Sequence, residues 1–121
     1  MSAIFDLISK EVCEPVTIEG KTFFVRYLTA LQRDKFEEQW TNYRTGNSVA
    51  GIRGFMCAFC LCDKDGKPEF NSGSKEFAGK EFTEAAKKIG EIKSTKLQPL
   101  FSKVMEINGF SAEDVEELEK K

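Results

Sequence analysis

The side chains with the greatest chemical potential are Cys57, Cys60 and Cys62, in the spacing Cys-x-x-Cys-x-Cys, with Cys13 as a distant fourth thiol. Zinc prefers four tetrahedral ligands, and the chain contains no histidine to complete such a set. On a helix Cys57 and Cys60 share a face, whereas Cys62 is turned about 200° away from Cys60. A redox Cys-x-x-Cys places its first thiol at a helix N-terminus, where the dipole lowers the pKa. This one falls inside the apolar run Phe55–Cys62, so it reads as core packing by small hydrophobic side chains.

Asp63-x-Asp65-Gly66 has the look of a calcium loop, but the first ligand would then be Leu61 and the bidentate acid Ser72, and neither fits. Without histidine, no serine has an evident base for nucleophilic catalysis. Gly46, Gly51 and Gly54 follow no strand and form no phosphate loop. Glu37, Glu38 and the acids of 113–119 read as solvated faces. No catalytic residue, metal ligand or cofactor is therefore expected, and the chain is read as a binding protein.

The elements follow from local patterns. Val12–Ile18 and Lys21–Leu28 are rich in β-branched and aromatic residues and flank Glu19-Gly20, which predicts a hairpin with Pro15 at a tolerant edge. Val16, Ile18, Phe23 and Val25 would pack, leaving the face of Thr17, Phe24 and Arg26 wet. Thr29-Ala30-Leu31-Gln32 is a capping box opening a helix from about Ala30 to Tyr43, with Leu31, Phe36, Trp40 and Tyr43 turned inward. Thr45-Gly46-Asn47-Ser48 breaks it, and Asn47 or Ser48 caps a central helix through about Cys62. Asp63–Pro68 is turn chemistry, leading into a polar loop over 71–74.

A helix carrying Phe82, Ala85, Ala86 and Ile89 follows, with Thr83 as a candidate cap and Gly90 as a candidate stop. Ser94 or Thr95 opens the next, which carries Leu97, Leu100, Phe101, Val104 and Met105. Pro99 is acceptable there only near the first turn, and Asn108-Gly109 closes it. Ser111–Asp114 caps a short acidic helix whose apolar pair is Val115 and Leu118. A lone hairpin is marginal in water and must rest on these helices. The expectation is a single α+β domain over 1–121, mostly α: a β-hairpin at 12–28, a helical core at 29–110 and a C-terminal helix at 111–121, with three to five helices in all.

At 121 residues, with 40% apolar and 31% charged side chains, the chain has the size and composition of one soluble domain. A net charge of −2 lacks the basic surplus that phosphate backbones demand, so no nucleic-acid partner is expected. No apolar stretch approaches a membrane span, and Met1–Leu7 has an acid where a signal peptide would be apolar. A cytoplasmic protein without a membrane partner is expected.

The order of these pieces resembles the tail assembly chaperones of long-tailed bacteriophages and prophages. The resemblance rests on the hairpin ending Phe24-Val25-Arg26-Tyr27-Leu28-Thr29 and on the charged helix after it. It continues through the apolar helix running into Leu61–Phe70, the segment from Leu100-Phe101 to Ile107-Asn108-Gly109, and the acidic end Glu113–Lys121. It covers about Val16 to Lys121, with the three-cysteine cluster standing apart from the family pattern. It implies a helical chaperone absent from the mature virion, which binds the tape-measure protein, keeps it soluble and helps to recruit tail-tube subunits. It also leaves room for a homo-oligomer of unfixed copy number. A small helix-turn-helix-like DNA-binding regulator of phage or prophage origin is the alternative, with Lys87, Lys88, Lys93 and Lys96 as its basic residues. For a chaperone, the candidate partner-binding residues are Phe70, Phe77 and Phe110, in or beside loops, together with Val115 and Leu118.

Overall fold

The computed structural model describes residues 2–44, 51–73 and 77–120; the side chains of 112 and 118–120 lie outside the description. The fold is α+β and mostly α. A short 3-10 turn, Ala3–Leu7, precedes strands β1 (Cys13–Ile18) and β2 (Lys21–Arg26). Helices α1 (Ala30–Tyr43) and α2 (Ile52–Cys60) follow, then strand β3 (Leu61–Cys62) and helices α3 (Lys80–Gly90), α4 (Ser94–Asn108) and α5 (Ala112–Lys120).

The hairpin forms as its sequence requires. Glu19 and Gly20 both take positive φ, 51° and 78°, the primed turn geometry that matches the strand twist. Ile18 pairs with Lys21 and Val16 with Phe23. Pro15 lies in β1, an edge of the antiparallel order β1-β2-β3, where its missing N–H is tolerated. At Thr29 the capping box is complete: its hydroxyl accepts from Gln32 N at 3.2 Å, and Gln32 Oε1 accepts from Thr29 N at 2.9 Å.

Five local expectations need correction. The central helix ends at Cys60 instead of Cys62, because Leu61 and Cys62 pair with Val25 and Phe24 as β3; a short buried apolar run suits either element. Leu31 is 76% exposed, since it lies about 140° around the helix from Phe36 at 100° per residue. Gln39, about 60° around the helix from Phe36, is buried on the inner face instead, its Nε2 donating to Ser72 O at 3.3 Å. Thr83 sits inside α3, capped by Gly79, and turns its hydroxyl back to Lys80 O. Pro99 falls in the second turn of α4, where the bond it cannot make would go to the Thr95 carbonyl on the exposed side. The break expected at Thr45–Ser48 lies outside the described residues, but α2 starts only at Ile52, with Gly51 at φ 90° as its N-cap in place of Asn47 or Ser48.

The core is aromatic. Phe36 and Trp40 of α1 meet Phe55 and Phe59 of α2, and Phe82 of α3 stands edge-on to Phe55 with centroids 5.2 Å apart. Six of the eleven phenylalanines are buried, two half-buried (Phe24, Phe70) and three exposed (Phe5, Phe23, Phe77). Close approach of α2 and α3 requires Gly54, where an added Cβ would lie 2.5 Å from Ala86 O.

The sheet face expected to be wet is dry at Arg26, which is only 7% exposed. Its Nε and Nη2 donate to Phe59 O at 2.9 and 2.7 Å. A helix leaves its last carbonyls without intrahelical donors, and at α2 the chain turns directly into β3, so Arg26 supplies one from the neighbouring strand.

Candidate functional site

Several features that could carry chemistry fold into structural roles. Cys57, Cys60 and Cys62 are buried. Burial raises the Cys60 thiol to about 12, with Cys62 pushing the same way and Arg26 opposing. Burial likewise raises Cys57 and Cys62, so these thiols are protonated at neutral pH and poor nucleophiles. Cys13, half-buried, donates its thiol to Lys64 O at 3.4 Å. Asp63 Oδ1 accepts from the backbone N–H of Asp65 at 2.8 Å and of Lys67 at 3.0 Å, which makes its loop an Asx turn. Among the described residues no cluster of three acidic or thiol side chains is arranged to hold a metal ion, and no helix is long and apolar enough to cross a membrane.

What remains is surface. Between the hairpin tip and α3–α4 runs an open groove of about 340 Å³, predominantly apolar in lining. Its floor comes from Leu61 of β3 and Ile89, Leu97 and Leu100 of the helices, and Ile18, Phe23, Phe70 and Ile92 rise along its sides. Phe23 and Ile92 are exposed and Phe70 half-buried. Charge sits only at the rim, where Lys96 Nζ and Glu19 Oε1 are 3.2 Å apart, beside Lys21 and Glu69.

A second apolar surface lies at the N-terminal turn. Ile4, Phe5, Leu7 and Ile8 are all more than half exposed, Leu7 at 78%. Leu7 and Ile8 border a depression shared with Val12, Tyr27, Leu28 and Ala30. Tyr27 is anchored there by its hydroxyl, which donates to Glu14; that bond leads the causes raising its pKa to about 12.

The five residues singled out from sequence do not form one surface. Phe70 lines the groove. Phe77 is 60% exposed in the loop before α3, apart from the groove lining. Phe110 needs correction as a partner residue: it is buried, its ring 5.9 Å from Phe36 and 4.0 Å beneath the Arg33 guanidinium. Val115 is half-buried and packs on the core; the Leu118 side chain lies outside the described residues. Sequence reasoning missed Phe23 and Ile92. Strand alternation assigned Phe23 to the packed face, and Ile92 followed a presumed helix stop. Their exposure depends on how the hairpin meets α4, which local pattern does not encode. The basic set Lys87, Lys88, Lys93 and Lys96 is divided between the end of α3 and the start of α4, and Lys96 is paired with Glu19.

Comparison with protein-family profiles, with curated proteins and with solved structures returns no match for this chain.

Proposed function

We propose that the protein is a non-enzymatic assembly chaperone that shelters apolar helical segments of a larger partner. By the resemblance set out above, it acts in phage tail assembly, with the tape-measure protein as client and tail-tube subunits recruited next. The observation carrying this reading is the groove bounded by Phe23, Phe70 and Ile92, apolar within and charged only at its rim. An amphipathic helix laid into such a groove buries its apolar stripe while its polar face stays in water. Exposed apolar surface on a small charged body otherwise has a solubility cost, and its presence marks an interaction site. The apolar N-terminal turn adds area of the same kind.

The test is co-expression. If the chain's gene neighbour encodes a very long, coiled-coil-rich protein, that product should remain in the supernatant only when this chain is co-produced, and the two should co-purify. Equal solubility of the long protein with and without the chain would contradict the proposal. A DNA-binding regulator would instead show affinity for duplex DNA that falls steeply with salt.

A further inference from the structure

Arg26, which is not among the groove's lining residues, presents an unusual arrangement. The residue as a whole is 7% exposed, and its guanidinium carbon lies 4.7 Å from the Phe59 ring centre. One edge, Nε and Nη2, is committed to Phe59 O. The outer edge, Nη1 and the second hydrogen of Nη2, meets no acceptor among the described residues, and no carboxylate there lies within ion-pair distance. Burying most of an arginine without an anionic partner is unfavourable, and a backbone carbonyl with a ring face compensates only in part; the outer edge is not among the buried unpartnered groups and so opens to solvent. Burial accordingly pulls the Arg26 pKa below its ordinary value.

Arg26 lines a pocket of about 320 Å³ between α1 and the Asp63–Pro68 turn. Lys35 and Lys67 flank the opening, and Ser72 and Asn71 contribute polar groups. No Asp or Glu is among its lining residues. Lys35 reaches only a long 3.4 Å contact to Gly73 O, and neither lysine is ion-paired among the described residues. The chain is acidic overall, with a net charge of −2, so three cations around one pocket without an acid run against its composition.

We infer that this pocket binds an oxyanion, a carboxylate or a phosphate, held end-on by the outer fork of Arg26 and flanked by Lys35 and Lys67. A guanidinium fork matches the paired oxygens of either group, and the lysines add charge without fixing geometry. The volume is at the small end of the range for ligand pockets and holds a single oxyanion. The site stands independently of the apolar groove and of the chaperone reading.

The experiment is titration of the ¹⁵N-labelled chain with inorganic phosphate in one arm and N-acetylglutamate in the other. Ionic strength is held constant with chloride so that screening does not change. Saturable shifts of the Arg26 Nε–H and of the Ser72 and Lys67 amides are expected in at least one arm, and the arm that saturates first identifies the source of the oxyanion. In Lys67→Gln, and further in Lys35→Gln/Lys67→Gln, affinity should fall, by about tenfold for the pair. These lysines are not core residues, so the variants keep the fold. Absence of saturation in both arms overturns the assignment, as do saturable shifts that the lysine substitutions leave unchanged.

Discussion

Asn108 Oδ1 accepts the backbone N–H of Leu28 at 2.7 Å, while its Nδ2 donates to Arg26 O and Val104 O, each at 3.2 Å. One amide at the end of α4 thus satisfies the backbone where the chain leaves the hairpin for α1. Gly109 then turns in the left-handed region at φ 66° and delivers Phe110 into the core beneath Arg33.

Asn108→Ala leaves the Leu28 N–H and Arg26 O without these partners, and should lower stability by about 1–3 kcal/mol. Asn108→Asp keeps the acceptor, loses the donors and should fall between. Urea unfolding of the three proteins checks the order. Equal midpoints would mean that water replaces the amide without loss.

Gly54 and Gly90 face each other across α2 and α3 and should respond oppositely. A Cβ at Gly54 meets Ala86 O at 2.5 Å and Gly90 N at 3.0 Å, whereas one at Gly90 meets nothing within 4 Å. Gly54→Ala should destabilise by about 1–3 kcal/mol through forced helix separation. Gly90→Ala should be neutral or stabilising by up to about 1 kcal/mol through helix propensity. Thermal melts of both variants decide the matter.

The buried thiols make a pH prediction. Cys60 is raised to about 12 and Cys57 and Cys62 are raised as well, so the folded state favours the neutral thiol. Their contribution to stability is fully present below the unfolded thiol value, about 8.5, and is lost as pH rises toward the folded values. Tyr27, also raised, acts in the same direction. The melting temperature should therefore fall on the alkaline side, above about pH 9. At neutral pH a thiol reagent should label Cys13 first, and the other three only on unfolding. Rapid labelling of Cys57 or Cys60 in the folded protein would contradict their burial.

Helix α5 begins with a reciprocal cap: Ser111 Oγ accepts from Asp114 N at 3.1 Å, and Asp114 Oδ2 accepts from Ser111 N at 2.8 Å, with Arg33 Nη2 3.9 Å from the same oxygen. Hydrogen bonds from the Ser111 backbone and hydroxyl lower the Asp114 pKa, so this support is present above the ordinary carboxyl range and lost on acidification. Ser111→Ala should cost about 1 kcal/mol of helix stability, read as faster hydrogen exchange in α5 with α2 unaffected.

How much of this was legible in the sequence follows the range of the interactions. The hairpin turn, the Thr29 box and the α1 boundaries depend on neighbours within a few residues, and the sequence carries them directly. The end of α2 depends on pairing of Leu61 with Val25, and the burial of Arg26 on a carbonyl at Phe59. Both join segments far apart in the chain, so local pattern misses them. The groove is the extreme case, assembled from the hairpin, β3, the Phe70 segment and two helices. Of the expected partner residues only Phe70 is shown to reach it, while Phe110, which does lie in the loop after α4, is buried in the core.

The central claim is that the Phe23–Phe70–Ile92 groove receives an apolar helix. Its most direct measurement is titration of amphipathic helical segments of the long client into wild-type chain and into Phe23→Glu/Ile92→Glu, whose substituted positions are exposed in the free protein. The account predicts saturable binding to wild type, with shifts around Phe70, Ile92 and Leu100, and a loss of at least about tenfold in the variant at unchanged melting temperature. Equal binding by both proteins would contradict it.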